Sequence, residues 1–308
     1  MISWIKKILA GQNVSERPVP TLSLQEALSY EDYSRHAHEH QKASLARRLF
    51  EKNLVPKDRA ESRFNGYCYV CRGYVDFHVD FEHAYEVDGI LTPNWRERLV
   101  CPGCHLNNRM RAVVHVFNQS CQPHSGSNIY ITEQATYFYK FLKRAFPLVC
   151  GSEYLGDAVG YGACNSEGIR NEDVTKLSFE DDKFDYILSF DVFEHVPDYK
   201  MALAECCRCL KPGGRLFFSV PFVKSSEKNI VRARVSDTGE VIHLLPPEYH
   251  GDPIRSDGCL CFYHFGWEML KELNALKFND VRALFFWSKD LGYLGDGLVM
   301  FVATRIAD

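Results

Sequence analysis

Two sets of residues in this sequence have the types and spacing to do chemistry. The first is Cys68, Cys71, Cys101 and Cys104, two C-x2-C turns separated by residues 72–100. Each turn can direct two thiolates at one ion, and two turns complete the tetrahedral sulfur shell that Zn2+ prefers. Such a shell has no open position, so the expected role is structural, folding a segment with little core of its own. Four buried thiols are the plainer alternative. The second set is Glu194-His195, an acid beside an imidazole at the end of the mostly apolar run FDYILSFDVF. The imidazole can take a proton from a hydroxyl or an amine, or the pair can form a pocket wall and brace its loop. A later stretch, HLLPPEYHGDPIRSDGCLCFYH, carries His243, His250 and His264 with Asp252 and Asp257. His250-Gly251-Asp252-Pro253 reads as a tight turn, which makes His250 a rival base, and Tyr249 and Tyr263 are candidates for an acceptor wall.

These residues need a scaffold, and its pattern is legible from residue 128 onward. NIYITE reads as a strand, QATYFYKFLKRAF as a helix and LVCGSEYL as a strand. FDYILSFDV is a strand, YKMALAECCRCL a helix ending at Lys211-Pro212-Gly213-Gly214, and RLFFSVPF a strand. Residues 223–262 show little periodicity. After them come the helix FGWEMLKELNALKF and the strands VRALFFWS and DGLVMFVATRI. Strands alternating with helices argue for an α/β domain with a parallel sheet, and the last two strands for one antiparallel partner. The expected layout is a helical segment over residues 1–60, the cysteine-bearing, zinc-ribbon-like element over 61–117, and the α/β domain over 128–308. Within that domain, 223–262 is an acceptor-side insertion, since a long irregular stretch in a compact domain is usually functional.

Other features carry less. His36, His38 and His40 alternate, and alternate residues of a helix do not share a face, so they read as a solvated stretch. MISWIKKILAGQ has apolar residues at helical spacing around Lys6 and Lys7 and reads as a short amphipathic helix capping the fold, with weak membrane-surface contact as the alternative. The 308 residues have a formal net charge of −4, which argues against a nucleic-acid partner, and no apolar run approaches a membrane span. The 12 cysteines come without a signal peptide, so a reduced cytoplasmic chain is expected.

Ligands of open α/β sheets bind beyond the carboxyl ends of the strands. Acids stand there: Glu133, Glu153, Asp173 and Asp191. The assembled stretch DVTKLSFEDDKFDYILSFDVFEHVPDYKMALAECCRCLKPGGRLFFSVP resembles the class I S-adenosylmethionine-dependent methyltransferases, in particular their type 11-like branch, over about residues 128–222. The resemblance implies a Rossmann-like methyltransferase sheet and S-adenosylmethionine as cofactor. It puts Glu153 on the ribose diol with Tyr154 beside it, and Asp173 on the adenine amino group with Val174 near the ring. Ser189, Phe190 and Asp191 would line the cleft beneath the sulfonium, with Glu133 and Gln134 at the methionine end. In this family the Glu194-His195 pair occurs with many acceptors, which favours the pocket-wall role. One departure stands out: the family's glycine-rich first turn reads ITEQATYF here, without glycine. The cofactor then sits further out, or the site is degenerate and the domain a scaffold. The leading expectation is methyl transfer to a small-molecule or glycan-type acceptor. An RNA methyltransferase is the alternative enzyme, because a zinc knuckle precedes such a domain in some ribosomal RNA guanine methyltransferases. Here the knuckle spacing differs, and no basic stripe with interleaved aromatics is present. Arg96, Arg98, Arg109 and Arg111 either recognise an anionic acceptor or pair with Glu82, Glu86 and Glu97.

Overall fold

The structure, a computed structural model, describes residues 17–254, 256–296 and 298–307. The helix expected from MISWIKKILAGQ lies outside the described residues. The chain runs β1 (Gln25–Ala27), α1 (Tyr30–Glu39), α2 (Gln41–Leu54), β2 (Ser62–Cys68), β3 (Gly73–Val79), β4 (Tyr85–Val87), β5 (Ile90–Thr92) and α3 (Asn108–Cys121). It continues through β6 (Ile129–Ile131), α4 (Tyr137–Ala145), β7 (Cys150–Gly151), β8 (Phe184–Phe190), α5 (Tyr199–Cys209) and β9 (Leu210–Ser219). Six short strands follow: β10 (Ile230–Val231), β11 (Ala233–Val235), β12 (Val241–His243), β13 (Tyr249–His250), β14 (Cys259–Leu260) and β15 (Tyr263–His264). The last elements are α6 (Glu268–Ala275), β16 (Phe278–Phe285) and β17 (Val299–Arg305).

Seven strands form one sheet in the order β1-β16-β17-β9-β8-β6-β7. β7, β6, β8 and β9 are mutually parallel, and β17 runs antiparallel between β9 and β16. Beyond β7, the segment at Asn171 adds a single parallel bridge to Glu153, a vestigial further strand. The central strands carry apolar side chains on both faces. One face packs under α5 and α6 through Ile187, Leu203, Phe218 and Leu270, and the other under α3 and α4 through Ile131, Leu188, Phe117 and Leu142. The helices start where polar caps allow: Asn107, Thr136 and Asp198 each accept a backbone N–H of the first turn, at Met110, Tyr139 and Met201. Such caps satisfy donors that the helix itself leaves unpaired.

Two elements differ from the sequence reading. β1 lies in a stretch read as helical. Its three residues instead pair with the exposed edge of β16 and bury Ala27, so tertiary pairing overrides a weak local pattern. The insertion is a set of hairpins, β10 with β15, β11 with β12 and β13 with β14. Strands of two or three residues are too short to leave a periodicity. The cysteine-bearing segment is joined to the sheet: α3 contributes Val113, Val116 and Phe117 to the sheet core. Its Arg111 is fully buried, donates to the carbonyls of Leu99, Leu291 and Gly292, and lies 3.8 Å from the Phe77 ring centroid. Among the described residues, no helix is long and apolar enough to cross a membrane.

Candidate functional site

Cys68 closes β2 and Cys71 sits in the following turn, while Cys101 and Cys104 precede α3. The residue after each knuckle, Arg72 and His105, takes a left-handed conformation, which turns the chain back after its second sulfur. Cys68 Sγ lies 3.8 Å from Cys104 Sγ and Cys71 Sγ 3.6 Å from Cys101 Sγ. All four sulfurs lie within 4.8 Å of one another, and none of them is in a disulfide. Zinc–sulfur bonds of about 2.3 Å in a tetrahedron put neighbouring sulfurs about 3.8 Å apart, so the quartet can hold that ion. The backbone N–H groups of Cys71 and Gly103 each point at a cysteine sulfur, which favours thiolate.

The loop leading into the second knuckle reaches the sheet edge. Arg109 N–H donates to the Arg96 carbonyl at 3.0 Å, and the buried Asn108 amide donates to the carbonyls of Trp95 and Leu294. So braced, Arg96 Nη2 lies 2.5 Å from Asp191 Oδ2, with Arg109 Nη1 3.4 Å from the same oxygen. Ser219, at the end of β9, donates to Asp191 Oδ1 at 2.8 Å. Asp191 follows β8 in a left-handed conformation with φ 55°, which Asp tolerates better than most residues. Burial alone would raise its pKa, but the Arg96 and Arg109 guanidiniums outweigh burial and hold it well below the usual carboxylate range. Glu97 bridges both arginines, at 2.5 Å from Arg96 Nη1 and 3.0 Å from Arg109 Nε. Arg98 pairs with Asp80 and Glu82. Arg96, Arg98 and Arg109 therefore pair with acids, as one sequence reading had it, whereas Arg111 donates to carbonyls, and Asp80 and Asp191 are partners that reading did not contain.

The glycine-free turn after β6 has its own solution. Glu153 Oε1 accepts the backbone N–H groups of Gln134 at 2.6 Å and Ala135 at 2.7 Å. Among the described residues no hydrogen bond reaches Oε2, which leaves its lone pairs open. A close approach of chain to chain occurs on the neighbouring strand. A Cβ on Gly151 would stand 2.5 Å from the Glu133 carbonyl oxygen and 2.6 Å from the Tyr139 ring, so glycine is required in β7 instead of in the turn. The Gln134 side chain is committed to this stitching, donating to Gly168 O and accepting from Arg170 N–H. Burial pushes Glu133 up to about 7, against the Thr136 hydroxyl and Arg109, while Glu153 and Asp191 add to the rise. Burial also raises Glu153, opposed by the two amides it accepts from. Asp173 follows the vestigial strand, and its Oδ1 accepts both the Thr175 N–H and the Thr175 hydroxyl. Val174 is half-buried beside it and Tyr154 is exposed. Ser189 is buried with its hydroxyl accepting from Thr132, and Phe190 packs against Phe138 and Phe217. The side chains of these last two belong to the core, so they offer the crevice only backbone. The donor set suits the expected cofactor: a carboxylate oxygen for a diol, an acceptor beyond it for an amino group, and acids for a cationic end.

Glu194 lies three residues beyond Asp191 in a 3-10 turn, Phe193–His195, and is fully buried. Among the described residues, neither of its carboxylate oxygens has a hydrogen-bond partner. Two imidazoles stand beside it, His195 Nε2 and His250 Nδ1, each 3.6 Å from Oε1. His195 Nδ1 donates to the Leu260 carbonyl at 2.9 Å, which leaves Nε2 to exchange protons. His250 comes from the insertion, and its ring centroid is 4.9 Å from that of His195. Its hairpin closes tightly: a Cβ on Gly258, at φ +74°, would stand 2.4 Å from the His250 carbonyl oxygen. Glu194 raises the His250 pKa to about 9, helped by Glu248 and opposed by burial. Burial in turn raises Glu194, partly offset by His250. Glu248 is the member that sequence reasoning missed. It accepts from His250 Nε2 at 3.0 Å and His264 Nε2 at 3.1 Å and pairs with Arg232. A signal existed: in a strand, residues two apart share a face, so Glu248 and His250 in PPEYH point the same way. Tyr263 donates to the Pro197 carbonyl at 2.6 Å and braces the loop, whereas Tyr249 is exposed.

Comparison with known proteins bears on one stretch of this architecture. A family model described as a methyltransferase domain matches residues 138–218. The ubiquinone biosynthesis O-methyltransferase of Coxiella burnetii is 40% identical over 124 residues, 39% of this chain and 51% of that protein. The enzyme of the same name from Rhizobium johnstonii is 24% identical over 144 residues, 44% of this chain and 51% of that protein. The chain thus spans about half the length of the curated relatives it matches. Among solved structures, an S-adenosylmethionine-dependent methyltransferase from Mesorhizobium loti superposes with a TM-score of 0.41 and 17% identity, covering 66% of this chain and all of that one.

Proposed function

We propose that this chain is an S-adenosylmethionine-dependent methyltransferase acting on a small-molecule acceptor. The observation that carries the reading is the methyltransferase-domain match over 138–218, whose segment carries Glu153, Asp173 and Asp191 at the carboxyl end of the parallel strands. The names of the curated relatives support a small acceptor. The cofactor supplies an activated methyl group on a sulfonium. Glu153 Oε2 binds the ribose hydroxyls and Asp173 the adenine amino group, with Val174 backbone along the ring. Glu133 and Asp191 hold the cationic end, and Gln134 acts through the turn it ties to Gly168 and Arg170. Methyl transfer is an in-line displacement, so the protein must align the acceptor and remove its proton. His195 Nε2 takes that proton, and the Glu194 carboxylate beside it offsets the resulting charge. The cysteine quartet holds structural Zn2+. The test is calorimetric titration of zinc-replete protein with S-adenosylmethionine and S-adenosylhomocysteine. Saturable binding that is lost in Glu153→Ala and Asp173→Ala supports the reading, and absence of binding to folded wild-type protein overturns it.

A further inference from the structure

A cavity lies apart from the residues that line the candidate cofactor crevice. It encloses about 670 Å3 between the α1–α2 pair and the carboxyl end of β16, a volume typical of small-ligand pockets, which run from about 300 to 1,000 Å3. Its floor is aromatic, with Phe285 and Trp287, and its helical wall presents His36, His40, Arg47 and Arg48. The carboxylates that face it are committed elsewhere. Glu26 pairs with Arg282 and Asp296 with Lys224, while Glu51 Oε1 accepts the Trp287 indole N–H at 2.6 Å and the Gly295 N–H at 2.7 Å. Among the described residues no carboxylate lies within ion-pair distance of Arg47 or Arg48. The Arg47 guanidinium lies 5.3 Å from the Trp287 ring centroid, so cation and ring face one volume.

The geometry points to a binding site for a ring-bearing organic anion, a phosphate monoester or a carboxylate, whose ring lies by Trp287 and whose charge meets Arg47 and Arg48. Guanidinium groups match both anions in geometry. The cavity backs onto the crevice: a Cβ on Gly295 would stand 3.2 Å from Trp95 Cβ and 3.7 Å from Arg96 N, next to the arginine that holds Asp191.

The site is tested by calorimetry with 2-naphthyl phosphate, 2-naphthoate and uncharged 2-naphthol at low and moderate salt. Saturable binding of an anion at least tenfold tighter than 2-naphthol is expected, weakening with salt. The phosphate and carboxylate arms identify which anion the site prefers. Arg47→Gln with Arg48→Gln should lower that affinity at least tenfold, with an unchanged melting temperature. Equal affinity for 2-naphthol, or anion binding that the double variant retains, overturns the assignment. S-adenosylhomocysteine titrated in parallel reports the crevice alone, so its failure bears on methyl transfer and not on this cavity.

Discussion

Asp191 and Glu194 stand three residues apart in one loop and are built in opposite ways. Asp191 has two guanidiniums and a hydroxyl around it, and its charge is fixed. Glu194 is buried without a hydrogen bond, between two imidazoles that can each carry a proton. A buried carboxylate with compensating cations keeps a fixed negative charge. One set between two imidazoles is placed to exchange protons. The difference comes from what packs on the loop: the cysteine-bearing segment covers one carboxylate and the insertion covers the other.

The largest effect that can break this contrast is loss of the metal shell. Cys101→Ser, or chelation, should lower the melting temperature by roughly 10 °C or more, because metal binding supplies much of a small segment's folding energy. S-adenosylhomocysteine affinity should fall with it, since Arg96 and Arg109 ride on that segment. Unchanged melting would remove the metal from the account.

Next in size is the acceptor side. His195→Ala should reduce methyl transfer by about 10²- to 10⁴-fold, the usual contribution of a positioned acid or base. Cofactor affinity should stay within about twofold. A variant with full turnover would leave the imidazole as pocket wall only.

Glu194→Gln sharpens the contrast in stability. The amide no longer offsets the His250 charge, so the variant should lose on the order of 1 kcal/mol, whereas Asp191→Asn leaves the half-buried Arg96 and Arg109 to Glu97 and should cost more, about 2 kcal/mol. Thermal melts of the two variants check the order.

The smallest effect is a pH dependence. His250 is raised from 6.5 to about 9, so its stabilising contribution is complete below about pH 6.5 and is lost as pH rises to about 9. The ring is partly exposed, so the loss should be on the order of 1 kcal/mol. Protection factors of the insertion hairpins, corrected for intrinsic exchange, should fall over that window in wild type and not in His250→Asn.

Much of this arrangement is legible in the sequence. The strand and helix alternation, the two knuckles and the acids at strand ends follow local patterns. β1 was not legible, because three residues carry no period and the edge of β16 decides its pairing. The Arg96–Asp191 contact joins positions 95 residues apart and left no local mark. The missing glycine was visible in the turn, but the compensation, Gly151 opposite the Glu133 carbonyl, depends on how β7 meets that turn.

The contrast is tested most directly by titrating S-adenosylhomocysteine into Asp191→Asn and Glu194→Gln side by side. The account predicts at least tenfold weaker binding in Asp191→Asn and an affinity within twofold of wild type in Glu194→Gln. Unchanged binding in the first with loss in the second would contradict it, because the two carboxylates would then have each other's roles.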